Sequence, residues 1–167
     1  MIKILDDFFE EQLFLNIKNH VTTKLFFTPR HFEDTTEKNE TNYYGSRFIL
    51  SEDPELLKTF VTQAEKKFKV KIKKVHSDSG IDMRNLLDFK PHVDSNCVIN
   101  IMVMLSGPTA VTNGTVFYTD GELDTHVGFR ENRAIMFPST RYHSPHASKV
   151  SNLKRYTASL FVEDYEE

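Results

Sequence analysis

The chain has one cysteine, Cys97, and no tryptophan in 167 residues. A lone cysteine excludes an intramolecular disulfide framework and any cysteine-rich zinc site. Glycine and proline number six each, too few for a collagen-like or low-complexity chain. Charge of one sign is also lacking: 21 basic residues face 24 acidic ones, for a formal net charge of -3. Such a balance gives no basic face for nucleic acid, and no nucleic-acid partner is expected. Long apolar runs are missing too. The longest, Val98 to Leu105, contains Asn100 and is far too short to span a bilayer, so no membrane partner is expected. The opening residues, MIKILDDFFEEQ, turn acidic by position six and do not read as a signal peptide. These absences favour a cytoplasmic protein in a reducing compartment.

What is present is aromatic and patterned. Fourteen Phe within an apolar fraction of 39% supply large buriable surfaces, which argues against disorder. The length suits one domain, 1–167, and leaves homodimerisation open. Asp7 and Glu10 form an acidic capping-box pattern, followed by Phe8, Phe9, Leu13, Phe14 and Ile17 at helical spacing. Residues 33–45, EDTTEKNETNYYG, contain no aliphatic side chain and read as a long exposed loop, a candidate lid. Asp53-Pro54 starts a second helix, with Leu56, Leu57, Phe60, Val61, Ala64 and Phe68 on its apolar face. From residue 69 the period changes to two. VKIKKV, MRNLLDF, CVINIMVML, GTVFY, RAIMFP and RYTASLFV read as strands. Turn signals separate them at Ser106-Gly107-Pro108, Asn113-Gly114, Asp120-Gly121 and Glu131-Asn132. The expected fold is mainly β with α+β content: a jelly roll, sandwich or small barrel with the N-terminal helices packed on one face. Residues 1–80 act as support and 82–163 as the β core.

Two features carry chemistry. His92 and Asp94, at i and i+2 of an extended segment, point to one side and can present a nitrogen and an oxygen to one metal ion. Such a pair lacks one histidine of a 2-His-1-carboxylate iron(II) site. The pattern alone is weak. Seven His and eleven Asp give about half a His-x-Asp by chance, and His76-Ser77-Asp78 is a second copy, read as an exposed turn. Arg155, Thr157 and Ser159 share one face of the last strand. An arginine pointing into a barrel is costly unless it meets an anion, and a guanidinium flanked by hydroxyls suits a carboxylate. An edge strand with Arg155 in water is the bland alternative.

Taken in order, Lys90-Pro91-His92-Val93-Asp94, Gly114-Thr115-Val116-Phe117-Tyr118, Asn132 to Ser139, a following histidine and Arg155-Tyr156-Thr157 resemble the iron(II)- and 2-oxoglutarate-dependent dioxygenases. The small prolyl-hydroxylase-like members of bacteria and phages are the most similar. The resemblance covers roughly residues 82–163, with a looser likeness at Tyr44-Gly45-Ser46-Arg47. It implies a double-stranded β-helix in which His92, Asp94 and a third ligand hold Fe(II). That ligand is His143, six residues after Phe137, or alternatively His146, nine before Arg155. His143 is favoured. Arg155, with Thr157 and Ser159, would hold the cosubstrate 2-oxoglutarate. The tyrosine that often precedes the first histidine is missing, and Tyr118, Tyr43, Tyr44 or Asn100 are the candidates to replace it.

The implied activity is O2-dependent hydroxylation of a prolyl, other amino-acid or small-molecule substrate, coupled to decarboxylation of 2-oxoglutarate. Phe89, Phe117 and Phe137 either line the pocket or pack the core. The competing classes are a jelly-roll metal- or ligand-binding module without catalysis and a zinc hydrolase, which has no use for a dedicated carboxylate anchor.

Overall fold

The computed structural model describes residues 1–31, 43–84, 91–146 and 154–167. Eleven strands and two helices are described in the order β1 (Lys3–Leu5), α1 (Glu11–Thr23), β2 (Thr28–His31), β3 (Tyr43–Ile49), α2 (Pro54–Phe68), β4 (Lys71–Val75), β5 (Gly80–Arg84), β6 (Ile99–Ser106), β7 (Ala110–Thr119), β8 (Glu122–Phe129), β9 (Arg133–Pro138), β10 (His143–His146) and β11 (Arg155–Glu166). A 3-10 turn, Leu50–Glu52, leads into α2.

The strands form two sheets. The major sheet runs β1-β9-β6-β11-β5-β3-β2, and β4 pairs with the end of β11. The minor sheet runs β10-β7-β8. All the pairings are antiparallel. Facing antiparallel sheets linked by crossovers make this a jelly roll, as the strand count suggested.

Strand alternation divides the core in two. On β6, Ile99, Ile101, Val103 and Leu105 point to one face of the major sheet, where they pack with Ala158, Leu160 and Val162 of β11 and with the helices. The helices contribute Phe14, Ile17, Val21, Leu56, Phe60 and Phe68. The alternate residues Met102 and Met104 face inward, packing with Ile135, Phe137, Phe117, Val127 and Phe129 between the two sheets. Burial on both faces explains why VINIMVML reads as one nearly unbroken apolar run.

The second helix starts as its sequence dictates: Asp53 caps it, its carboxylate accepting the Leu56 N–H at 3.0 Å. The first does not. Asp7 sits outside it with φ 52°, and the N-cap is Glu10, which makes no side-chain capping bond. Phe8 and Phe9 instead form a buried plug ahead of the helix. Asn132, in the β8–β9 turn, binds both backbone groups of Phe9, accepting its N–H and donating to its carbonyl, each at 2.9 Å. Gln63 of α2 donates to the Phe8 carbonyl. Leu13 is exposed, and Val21 takes the next place on the buried face.

Other expectations also change. Asn113-Gly114 is not a turn but an irregularity within β7. A Cβ at Gly114 would lie 2.1 Å from the Val127 carbonyl oxygen, so the residue is set by backbone approach. Asp120-Gly121 does make the β7–β8 hairpin, with φ 52° and 84°, the two positive values of a type I′ turn. The proposed 33–45 loop lies outside the described residues as far as 42, and by Tyr43 the chain is already strand.

Phe60 is fully buried, and its ring meets the Phe9 ring edge-on at 5.2 Å, coupling α2 to the plug. Phe60→Ala should cost about 3–5 kcal/mol, read as a lowered denaturation midpoint with an unchanged m-value.

Candidate metal centre

The segment after β5 returns along the minor sheet. His92 and His143 exchange backbone hydrogen bonds in both directions, each 2.9 Å long. This pairing puts the two side chains on one face, with ring centroids 4.5 Å apart. Asp94 follows two residues later, its N–H bonded to the Ser139 carbonyl at 3.0 Å. Ser139 in turn donates its N–H to the Val98 carbonyl and its hydroxyl to the Cys97 carbonyl, which ties the return to the β9 corner.

His92, Asp94 and His143 thus converge, with ligand atoms all within 4.8 Å of one another. Asp94 Oδ1 lies 3.9 Å from His92 Nε2 and Asp94 Oδ2 lies 3.7 Å from His143 Nε2. Two donors bound at about 2.1 Å to one ion are separated by roughly 3.0 Å at right angles and 4.2 Å when opposite. Each distance lies within about an ångström of the right-angle separation, through a different carboxylate oxygen.

The His143 ring is 3% exposed. The Phe137 ring lies 4.8 Å from it, edge-on, and the Phe117 ring 6.0 Å away. Its Nδ1 lies 2.9 Å from the Arg141 carbonyl, which can only accept, so Nδ1 carries the proton and Nε2 presents its lone pair. Burial pushes its pKa below the ordinary value, against the opposing pull of the Asp94 carboxylate, and keeps the imidazole neutral. Phe117 and Phe137 therefore pack the core behind His143.

A cleft with a cavity volume of about 50 Å³ is lined by this triad together with Arg47, Asp82, Arg84, Asn100, Thr115, Arg155, Ser159 and Phe161. Arg155 is buried, and desolvation pushes its pKa down to about 10, so it stays charged at neutral pH. One terminal nitrogen, Nη1, donates to the Gly114 carbonyl at 2.7 Å and to Asn113 Oδ1 at 3.2 Å. Its Nε is buried with no hydrogen-bond partner among the described residues. A carboxylate entering the cleft would supply the missing acceptor. Thr157 is buried beside Arg155, and Ser159 reaches the cleft wall.

The remaining candidates lie elsewhere. His146 alternates away from His143 on β10; it is exposed, and its ring stands 5.3 Å from that of His126. Tyr118 is not among the cleft residues, and its hydroxyl sits 3.1 Å from Ser144 Oγ. His76-Ser77-Asp78 forms the β4–β5 turn, where His76 Nδ1 accepts the Asp78 N–H. The Tyr43 and Tyr44 side chains and Phe89 fall outside what is described. Sequence reasoning missed the buried Arg47–Asp82 pair, in which Nε and Nη2 meet the two carboxylate oxygens at 2.7 and 2.8 Å. Arg84 joins the same carboxylate at 3.2 Å. These partners lie 35 residues apart on β3 and β5, with no local signal linking them.

No family model matches the sequence, and no curated protein does. Solved structures do match the fold. A Pseudomonas putida prolyl-4-hydroxylase aligns with a TM-score of 0.64 at 11% identity, covering 98% of this chain and 92% of that one. A Trichoplax adhaerens prolyl hydroxylase, solved with a peptide fragment of the hypoxia-inducible factor oxygen degradation domain, aligns at 0.62 and 11%, over 98% and 83%. The non-heme α-ketoglutarate-dependent epimerase SnoN of nogalamycin biosynthesis aligns at 0.64 and 9%, over 97% and 78%. The protein thus shares the jelly-roll fold of these structures. More particularly, it has the fold of the iron- and 2-oxoglutarate-dependent oxygenases in its prolyl-hydroxylase-like form.

His143→Ala should abolish stoichiometric binding of cobalt(II) or iron(II), measured by anaerobic titration, whereas His146→Ala should bind as the parent does. Equal loss in both variants would remove the preference between these histidines.

Proposed function

We propose that this protein is an iron(II)- and 2-oxoglutarate-dependent oxygenase that hydroxylates a prolyl, other amino-acid or small-molecule substrate. The observation that carries this reading is Arg155. A buried guanidinium on the wall of a cleft that also holds a cation site would be repelled by the ion. It becomes favourable when a dianion lies between them, with one carboxylate on the ion and the other on the guanidinium. A five-carbon dicarboxylate has the charge and reach for this. The orphaned Nε of Arg155 and the two-histidine, one-carboxylate donor set both fit such a pair of groups.

When bound, iron(II) and 2-oxoglutarate would supply the oxidising chemistry: substrate C–H, O2 and 2-oxoglutarate become C–OH, succinate and carbon dioxide. The chain's own part is placement. His92, Asp94 and His143 would hold the ion from one side and leave its other side facing the cleft. The His143 Nδ1–H, donating to the Arg141 backbone carbonyl, would leave Nε2 free to bind the ion. Arg155, fixed by the Gly114 carbonyl and by Asn113, would orient the far carboxylate, with Ser159 close by. The Arg47–Asp82 pair neutralises two charges within the wall and keeps β3 and β5 in register around the site.

The partner is a small molecule or a peptide; the Trichoplax enzyme was solved with a peptide, which supports the second. Among the described residues no helix is long and apolar enough to cross a membrane. A cytoplasmic location suits a fold that needs no disulfide: the single thiol, Cys97, has its pKa raised to about 11, chiefly by burial.

Under anaerobic conditions, iron(II) and 2-oxoglutarate should give the visible charge-transfer band of their complex. Oxygen should then release succinate slowly, even without substrate. Iron-loaded protein that shows neither would favour a binding module. Arg155→Ala should weaken 2-oxoglutarate binding by about 2–5 kcal/mol, at least roughly thirtyfold, as seen in titration of the band. Arg155→Lys should not restore it, since an ammonium lacks the planar fork.

A further inference from the structure

Asn100 lies on the inner face of β6, 2% exposed, between Phe137 of β9 and Phe161 of β11, its register partners. It reaches the cleft. Its amide nitrogen donates to Asp94 Oδ2 at 2.9 Å. The orientation of the amide is fixed by charge: flipped, it would set its carbonyl oxygen against the carboxylate. The carbonyl oxygen, Oδ1, is therefore the atom turned away from Asp94, and it is buried with no partner among the described residues. Folding does not explain such a side chain. Leucine has nearly the same shape and would pack between two phenylalanines without an orphaned acceptor.

The bond from Asn100 is the one hydrogen bond to the Asp94 carboxylate among the described residues. A carboxylate beside a cation can give one oxygen or both. If each of three side chains gives one atom, an octahedral ion keeps three positions open. If Asp94 gave both oxygens, two would remain, and a cosubstrate binding through two atoms would fill them and leave none for oxygen. Each carboxylate oxygen faces one histidine, Oδ1 at 3.9 Å from His92 Nε2 and Oδ2 at 3.7 Å from His143 Nε2, so both stand beside the place of an ion. We propose that Asn100 is a positioning residue that keeps Asp94 a one-oxygen ligand, its hydrogen bond holding Oδ2 back so that Oδ1 serves the ion. This rests on the metal and cosubstrate reading given above, and it assigns Asn100 to the metal centre rather than to direct contact with 2-oxoglutarate.

The test uses cobalt(II)-loaded protein and X-ray absorption, which detects the short cobalt–carbon distance of a chelating carboxylate. That distance should be absent in the parent, present in Asn100→Leu, and absent again in Asn100→Gln, which keeps the donor. Should Asn100→Leu fail to fold, Asn100→Ser, too short to reach Asp94, takes its place. With iron(II), the leucine variant should keep its affinity for 2-oxoglutarate and its charge-transfer band, while succinate release falls roughly tenfold to a hundredfold. This is the opposite of the split expected for Arg155→Ala. A chelating Asp94 in the parent, or no chelation in the leucine or serine variant, overturns the inference. So does a loss of 2-oxoglutarate affinity that matches the loss of rate. Absence of band and succinate in the parent would sink the oxygenase reading instead, while the cobalt measurement still decides the role of Asn100.

Discussion

Two backbone hydrogen bonds between His92 and His143 organise the rest of the site. They join a segment that follows β5 to a strand that follows β9, so two residues 51 apart in sequence become neighbours by main chain alone. Antiparallel pairing at this point does two things. It sets both imidazoles on one face, and through the two-residue period it sends Asp94 to that face as well. Neither step depends on attraction between the side chains. The minor sheet supplies the frame: β10 pairs with β7, and Phe117, the register partner of His143, stands beside its ring. A shift of one residue in that register would carry His143 outward and Ser144 inward.

The major sheet solves the complementary problem of burying charge. Its helix-facing side is apolar throughout β6 and β11, and this side ties both helices to the sheet. Its inner side changes character along its length. Methionines and phenylalanines fill the end that lies against the minor sheet, while Arg47, Asp82, Asn100 and Arg155 occupy the cleft. Desolvating a guanidinium is costly, and the two buried arginines meet that cost differently. Arg47 has a bidentate carboxylate within the protein. Arg155 has one terminal nitrogen satisfied by neutral oxygens and its Nε without an acceptor among the described residues, although Asp82 is near enough to favour its charge. The first is a structural pair; the second is suited to an incoming anion.

Legibility from sequence follows the range of each cause. Asp53-Pro54 was readable because a cap and an N1 proline act within one helical turn. The alternation of RYTASLFV placed Arg155, Thr157 and Ser159 on one face, and the structure turns that face inward. By contrast HSPH, with one proline and two histidines, has no intrinsic strand preference; β10 exists because β7 and His92 pair with it. The Asp7 cap failed because Asn132, more than 120 residues away, captures the backbone of Phe9 just ahead of the helix. Asn113-Gly114 misled for a similar reason, since its glycine answers to a neighbouring strand. The Arg47–Asp82 pair required knowing that β3 lies beside β5, which no local pattern states.

The same reasoning explains how so little identity can accompany so much shared shape. At 8–11% identity to its structural neighbours, most contacts in this chain are made by different side chains. What a jelly roll requires is a parity rule: apolar residues on the helix side of the major sheet, apolar residues between the sheets, and turns that permit the crossovers. Many sequences satisfy that rule. A metal centre is less tolerant, because three donor atoms must meet within a fraction of an ångström. The fold reduces that demand by fixing His92, Asp94 and His143 through main-chain bonds to His143, Ser139 and His92 respectively. The positions of these three side chains are therefore set by topology, while their fine orientation falls to a few side-chain and carbonyl contacts, those of Arg141 and Asn100 foremost.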